Sequence, residues 1–205
     1  MAAVSRRGFI VSVGVFAALV ATGGTANALA QDSVFLRPPG ALDESAFLAR
    51  CIRCQKCTSV CHANVIQPLS VIDSIKGTST PTVDFTLAYC DFCAEANGGV
   101  PHCAEVCPTG ALAVPEEKPT INGVAVVNEP SCVAWDWKGC TVCADECPQE
   151  AISLDDMRRP VVDEALCDGC GLCELICPST SLRSYGGARV ESKGIVVIPE
   201  KREAR

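Results

Sequence analysis

Sixteen cysteines in this chain fall into four groups of four, with short gaps that recur from group to group. The first group, Cys51-x2-Cys54-x2-Cys57-x3-Cys61, and the fourth, Cys167-x2-Cys170-x2-Cys173-x3-Cys177, have the same spacing. The second, Cys90-x2-Cys93-x9-Cys103-x3-Cys107, and the third, Cys132-x7-Cys140-x2-Cys143-x3-Cys147, keep the x3 ending and widen one earlier gap. Thiols at this density pair as disulfides, hold zinc, or ligate iron–sulfur clusters.

Spacing separates the three. Zinc sites come as separated Cys-x2-Cys pairs, which only the second group half imitates. Cysteines three apart on a helical turn rarely meet the geometry of a disulfide. The run x2-x2-x3 matches the bacterial ferredoxin pattern. In that pattern three thiolates wrap one cubane corner, while the fourth, one helical turn on, faces elsewhere and ligates the neighbouring cluster. Pro108, Pro148 and Pro178 follow the last cysteine of groups two, three and four, where they remove a backbone donor and redirect the chain. Four [4Fe-4S] clusters would use all sixteen thiols, and every iron would then have its protein ligand. Iron–sulfur enzymes normally keep one iron open for substrate, so this bookkeeping points to electron transfer without a catalytic site.

The elements that must position these loops are short. Asp43 to Arg50 reads as a helix with an acidic start that delivers the chain to Cys51. Val124 to Val127 and Val161-Val162 are β-branched runs that read as strands. Turn formers in Leu112 to Gly123 and in Leu154 to Pro160 predict hairpin-like connections. From Cys51 to about Tyr185 the chain is an imperfect fourfold repeat of approach segment, cysteine loop and apolar exit. With 6 Phe, 2 Tyr, 2 Trp and 2 Met the apolar core is thin, and metal centres are the expected staple. The fold class is α+β: two ferredoxin-like dicluster units of short strands and short helices carrying four [4Fe-4S] motifs.

The first thirty residues address the compartment. Ser5-Arg6-Arg7-Gly8-Phe9-Ile10 precedes an apolar run of about 13 residues, and a small-residue stretch ends at Ala28-Leu29-Ala30. This reads as a twin-arginine signal peptide, cleaved after Ala30. The apolar run is short of the roughly 20 residues a spanning helix needs, although retention as an N-terminal anchor is the competing reading. A chain that takes up a metal cofactor before export must travel folded, as twin-arginine cargo does. Beyond Ala30 the chain carries 24 acids and 15 bases, net −9. Each cluster with its thiolates adds about −2, for about −17 in all. That surface excludes nucleic acid as a partner class and suits a partner with a basic docking face.

Leu36-Arg37-Pro38-Pro39-Gly40-Ala41 leading into Cys51-Ile52-Arg53-Cys54, with the four motifs in the order plain, x9-expanded, x7-expanded, plain, resembles the NapG/MauM family. These are ferredoxin-type proteins of periplasmic nitrate reductase and methylamine-utilisation systems. The resemblance runs from the signal to Cys177. It implies four [4Fe-4S] clusters, a quinol-oxidising iron–sulfur partner in the membrane, and an exported reductase, with molybdopterin enzymes among the candidates. Alternatives are a tightly bound iron–sulfur subunit of one molybdopterin oxidoreductase and, third, a maturation or scaffold protein. The chain departs from many ferredoxin motifs in having His62, not proline, after Cys61.

Related four-cluster subunits join the first motif with the fourth and the second with the third, and the resemblance implies the same nesting here. The ligand sets would be Cys51, Cys54, Cys57 and Cys177; Cys90, Cys93, Cys103 and Cys147; Cys132, Cys140, Cys143 and Cys107; and Cys167, Cys170, Cys173 and Cys61. Residues 51–89 with 150–185 would form an outer unit, 90–149 an inner one, 31–50 an N-terminal lead and 186–205 a C-terminal tail, its basic end frayed. Loop-closure entropy alone favours adjacent motifs instead, by a penalty that grows slowly with length.

Arg50, Arg53 and Lys56 surround the first loop, either raising a cluster potential there or as solvated charges. His62 and His102 adjoin ligand cysteines and read first as packing or exposed side chains, then as proton-coupled groups. Trp135 and Trp137 read as a cluster shield or a docking surface. The insertion 94–102 reads as a surface loop or a partner-binding one.

Overall fold

The computed structural model describes residues 34–137, 139–184 and 193–200. The signal segment 1–30 therefore lies outside the described residues, as does the basic end 201–205. Among the described residues no helix is long and apolar enough to cross a membrane.

Helices here are four to seven residues long and strands three to five, as closely spaced cysteine loops dictate. Helix α1 (Glu44–Arg50) begins at Asp43, whose carboxylate accepts from the Ala46 N–H at 3.0 Å and the Ser45 hydroxyl at 2.7 Å. Its one fully buried side chain, Phe47, anchors it to the core. There follow α2 (Lys56–Val60), β1 (Ile66–Pro68), β2 (Pro81–Val83), α3 (Ala94–Asn97) and α4 (His102–Glu105). The second half runs β3 (Gly123–Val127), α5 (Val133–Trp137), α6 (Val142–Asp145), β4 (Ile152–Leu154), β5 (Pro160–Val162), α7 (Leu172–Ile176), α8 (Ser179–Ser184) and β6 (Ile195–Pro199).

Three two-stranded antiparallel sheets pair β1 with β2, β4 with β5, and β3 with β6. The first two are equivalent hairpins. Ile66 faces Val83 and Ile152 faces Val162, and each is extended by one bond, Asp84 N–H to Val65 C=O and Asp163 N–H to Ala151 C=O. Both are entered through a left-handed residue three places after a cysteine, Asn64 (φ 56°) and Glu150 (φ 50°). Both leave through an Asx turn, in which Asp84 accepts from Thr86 N–H and Asp163 from Ala165 N–H.

The strands expected at 124–127 and 161–162 and the hairpin across 154–160 are present. The connection 112–123 is different. Leu112 bridges Ala41, and β3 takes its partner from the far end of the chain, with Val124 opposite Ile198 and Val126 opposite Val196. Residues 186–205 are thus not merely a tail: Ile195-Val196-Val197-Ile198 is a β-branched run that buries Ile195 and Val197 in the core.

The lead 34–42 is built into the fold. Leu36 C=O accepts from Val83 N–H and the Thr82 hydroxyl. Asn122 bonds Arg37 N–H at 2.6 Å and Phe35 C=O at 2.9 Å, and so holds the lead against the second half. Gly40 (φ +78°) lies so close to Ala113 C=O that a Cβ would come within 1.9 Å of the oxygen. Arg37 is fully buried between the rings of Phe35 and Phe47. Its guanidinium makes a fork with Glu44 at 2.9 and 2.6 Å and donates to Thr80 Oγ1 and Pro81 C=O. Every face of the cation is thereby compensated, the condition under which a buried charge is tolerated.

Arg37→Met should leave Glu44 and two acceptors without their donor and destabilise the protein by about 3–5 kcal/mol. Arg37→Lys should restore little of this, because an ammonium lacks the planar fork. The midpoint of anaerobic denaturant unfolding measures both.

Candidate functional site

Cysteine loops turn tightly because their backbones enter the left-handed region at matched places. Arg53 (φ 57°), Phe92 (φ 54°) and Gly169 (φ +74°) each stand two residues after the first cysteine of their motif. Asp91 and Asp168 brace two of the loops, their Oδ1 atoms each accepting from the amide two residues on, Cys93 and Cys170, at 3.1 Å. Arg53 is not a freely solvated charge, since its guanidinium donates to Thr78 C=O at 2.9 Å and Lys76 C=O at 3.0 Å. In motif three, α5 takes up residues 133–137 of the seven-residue gap between Cys132 and Cys140.

All sixteen cysteines are free thiols, and twelve of them gather in three quartets. Cys61, Cys90, Cys93 and Cys103 line one cavity; Cys132, Cys140, Cys143 and Cys177 a second; Cys147, Cys167, Cys170 and Cys173 a third. Cys51, Cys54 and Cys57 lie close enough to act electrostatically on one another, and Cys107 is the thiol that remains to complete their set. We number these quartets by the motif that supplies three of their thiols: site 1 (Cys51, Cys54, Cys57, Cys107), site 2 (Cys90, Cys93, Cys103, Cys61), site 3 (Cys132, Cys140, Cys143, Cys177) and site 4 (Cys167, Cys170, Cys173, Cys147).

The fourth cysteine of each motif thus crosses to a neighbour, but the neighbour is the adjacent motif. The nested sets, in which Cys177 joins Cys51, Cys147 joins Cys90, Cys107 joins Cys132 and Cys61 joins Cys167, are overturned. So are the outer unit 51–89 with 150–185 and the inner unit 90–149. The reason lies in the hairpins. After Cys61 the chain turns through β1 and β2 and returns Cys90 beside it, and β4 and β5 do the same for Cys147 and Cys167. Helix α2 packs against α4, and α6 against α7, to close each half. Entropy runs the same way: closing 29 residues instead of 106 favours the local partner by about 1 kcal/mol.

Electrostatics fit these quartets to metal. Burial, helped by neighbouring thiols, pushes Cys103, Cys143 and Cys170 up to about 12 and Cys90 and Cys173 also upward. Such crowded soft ligands ionise together only where cations take the place of their protons. Burial also raises Cys107, yet N–H groups of Leu112, Thr109 and Ala111 and the Thr109 hydroxyl outweigh it and hold this thiol below its usual value. Amide donors of this kind stabilise a sulfur ligand and tune a cluster's potential. A [4Fe-4S] group held here would supply one-electron transfer.

Other expected residues fall into place around the thiols. His62 bonds Asp91 at 3.1 Å, with its Nδ1 3.9 Å from Cys93 Sγ, and His102 faces Glu105 at 3.7 Å. The Arg159 guanidinium covers Trp135 at 4.3 Å from the ring centroid, so this ring already has a partner within the chain. The side chain of Trp137 lies outside the described residues. Insertion 94–102 closes on itself, Asn97 Nδ2 donating to Val100 C=O and the Glu105 carboxylate. Charge is uneven. Residues 50–61 carry Arg50, Arg53 and Lys56 with no acid, whereas 163–177 carry Asp163, Glu164, Asp168 and Glu174 with no base.

Paired halves with two thiol quartets each define a dicluster iron–sulfur protein of ferredoxin type. The family model described as a 4Fe-4S dicluster domain matches residues 50–111 and 138–181, stretches that each hold consecutive motifs, Cys132 alone falling outside. The ferredoxin-type protein NapG of Escherichia coli is 34% identical over 194 residues, covering 84% of this chain and 80% of its own. A methylamine utilization ferredoxin-type protein, MauM of Paracoccus denitrificans, is 38% identical over 173 residues, covering 78% and 72%. NapF of E. coli, also ferredoxin-type, is 30% identical over 152 residues, covering 72% and 82%. The chain belongs to the NapG/MauM family of ferredoxin-type iron–sulfur electron carriers.

Adjacent pairing is checked by electron paramagnetic resonance of the reduced protein. Cys61→Ser and Cys93→Ser should alter one and the same cluster signal, and Cys177→Ser the signal altered by Cys140→Ser. Nested ligation would instead join Cys61 with Cys170.

Proposed function

We propose that this chain is an exported carrier of four [4Fe-4S] clusters, one at each thiol quartet. It would relay electrons from a membrane quinol-oxidising iron–sulfur protein to an exported reductase in a nitrate-reductase-like system. The observation that carries the reading is the use of the cysteines: three quartets line cavities and the four remaining thiols make up a fourth, so that each iron would have a protein ligand. With no iron open to substrate, the chain passes electrons and has no catalytic site of its own. The twin-arginine sequence at Arg6-Arg7 supports export after cluster insertion, on the outer side of the cytoplasmic membrane. Membership of the NapG/MauM family supports the place in a respiratory chain.

Anaerobically purified protein should contain about sixteen iron and sixteen sulfide per chain and show cubane resonance signals on reduction. About four metals per chain, all zinc, would overturn the reading. Arg6→Lys with Arg7→Lys should leave the loaded protein in the cytoplasm, as cell fractionation would report. A large subunit that co-purifies in stoichiometric amount would make the chain a fixed subunit of one enzyme rather than a relay.

A further inference from the structure

Motifs one and four share one cysteine spacing, yet their loops differ in bulk at matched positions. Arg53 and Gln55 of motif one correspond to Gly169 and Gly171 of motif four, and all four residues have positive φ. Ferredoxin spacing needs neither glycine, since Arg53 and Gln55 adopt the same turn. Something near motif four excludes side chains.

At Gly171 that neighbour is the other half of the protein, and at Gly169 it is the start of β3 in the same half. A Cβ on Gly171 would lie 2.1 to 2.4 Å from the ring atoms of Phe85, a buried residue between β2 and Cys90. One on Gly169 would lie 2.5 Å from Gly123 C=O. Between these glycines, Cys170 C=O accepts from the Cys90 N–H at 2.9 Å, and just before them Asp168 C=O accepts from Ile121 N–H. Cys90 belongs to site 2 and Cys170 to site 4, so two ligand cysteines of different halves are joined backbone to backbone through one hydrogen bond. Cys54, the counterpart of Cys170 in motif one, is exposed, and Ile52 beside it is 62% exposed.

Within each half the sites are tied more closely. Helix α2 leads from Cys57 of site 1 to Cys61 of site 2, and α4 is followed by Cys107, which returns from Cys103 of site 2 to site 1. Cys143–Cys147 and Cys173–Cys177 join sites 3 and 4 in the same way. Site 3 is lined by Val133, Pro160, Pro178, Ser179, Gly194 and Ile195 besides its thiols, and, among the described residues, by none of the first half.

We infer that the Cys90–Cys170 contact, made possible by Gly171 against Phe85, is the electron junction between the two halves, so that the sites connect in the order 1–2–4–3 and not in chain order. The inference rests on the four-cluster reading above. At the junction one electron leaves the reduced member of the pair and the other accepts it; no bond is made or broken. Sites 1 and 3 are then the two ends at which outside donors and acceptors meet the protein, the site 1 end carrying Arg50, Arg53 and Lys56. The motif that supplies site 2 carries Asp91, Glu95 and Glu105 and the one that supplies site 4 carries Asp168 and Glu174, whereas the one that supplies site 1 carries no acid, which favours the oxidised state at sites 2 and 4 relative to site 1.

The test is magnetic coupling between neighbouring reduced clusters. Lines displaced in Cys93→Ser identify site 2. In fully reduced protein, Cys170→Ser should change the splitting and relaxation of those lines, and Cys140→Ser should leave them unchanged. A response of site 2 to Cys140→Ser and none to Cys170→Ser overturns the order. Gly171→Ala, which pushes Phe85 away, should reduce the coupling of site 2 to site 4 while retaining the full iron content; undiminished coupling overturns the role of the contact. Iron and sulfide counts separate the two levels. Unmodified protein well short of about sixteen irons fails the four-cluster reading and the order with it, whereas a full complement with site 2 coupled to site 3 fails the order alone.

Discussion

The fourth cysteine of each motif belongs to its neighbour's site, and most of the structure follows from that crossing. Helices α2, α4, α6 and α7 each present a third cysteine to one site and lead, one turn later, to a thiol of the next. The two helices of a half must therefore pack face to face at a fixed distance. This forces the connection between their motifs to return to its origin, which a short antiparallel hairpin does. Both hairpins use a left-handed residue at entry and an aspartate turn at exit, so the device recurs in local detail as well as in outline. With so little aromatic core, metal held across these thiol sites would do the work that a large apolar interior does elsewhere.

The halves are joined by different means. Leading into α1, Arg37 lies beneath Phe47 and reaches Thr80 and Pro81 just as β2 begins, while Asn122 holds the same strap from the second half. Within the second half, β6 returns from the end of the chain to pair with β3 and brings Val197 N–H onto the carboxylate of Glu174, next to Cys173. Burial raises that carboxyl above its ordinary value, against the opposing bond from Val197 and the nearby Lys193. Polar groups buried in this way hold register: each has one set of partners that satisfies it, and a shifted strand would leave it unpaired.

The two halves are alike in plan but unequal in detail. Motif one carries Arg53 and Gln55 where motif four carries glycine, although both loops adopt the same left-handed turns. Glycine is required only where another part of the chain approaches. At Arg53 the guanidinium instead braces its own side of the loop against the carbonyls of Lys76 and Thr78. Identical spacing therefore describes the ligation of a metal site but not its surroundings, and the surroundings distinguish a site inside the protein from one at its surface.

Thiol chemistry was legible in the cysteine gaps alone, because a cubane's size and the pitch of a helical turn leave few spacings that work. The same is true of α1, with its Asp43 cap, and of the β-branched strands at 124–127 and 161–162, whose signals are local. Pairing of the motifs was not legible, since either partner satisfies the fourth thiol and the entropic difference is about 1 kcal/mol. The run Ile195 to Ile198 had a strand's composition, but its partner lies some seventy residues away and nothing near it names β3. Arg37 stood in a lead with no local sign of burial. The sequence by itself determined that sixteen thiols would be held in quartets; tertiary structure decided which quartets, and which two come together at Cys90 and Cys170. Spacing acts within one turn of helix, whereas neighbourhood depends on where the hairpins, the strap and the last strand carry the chain.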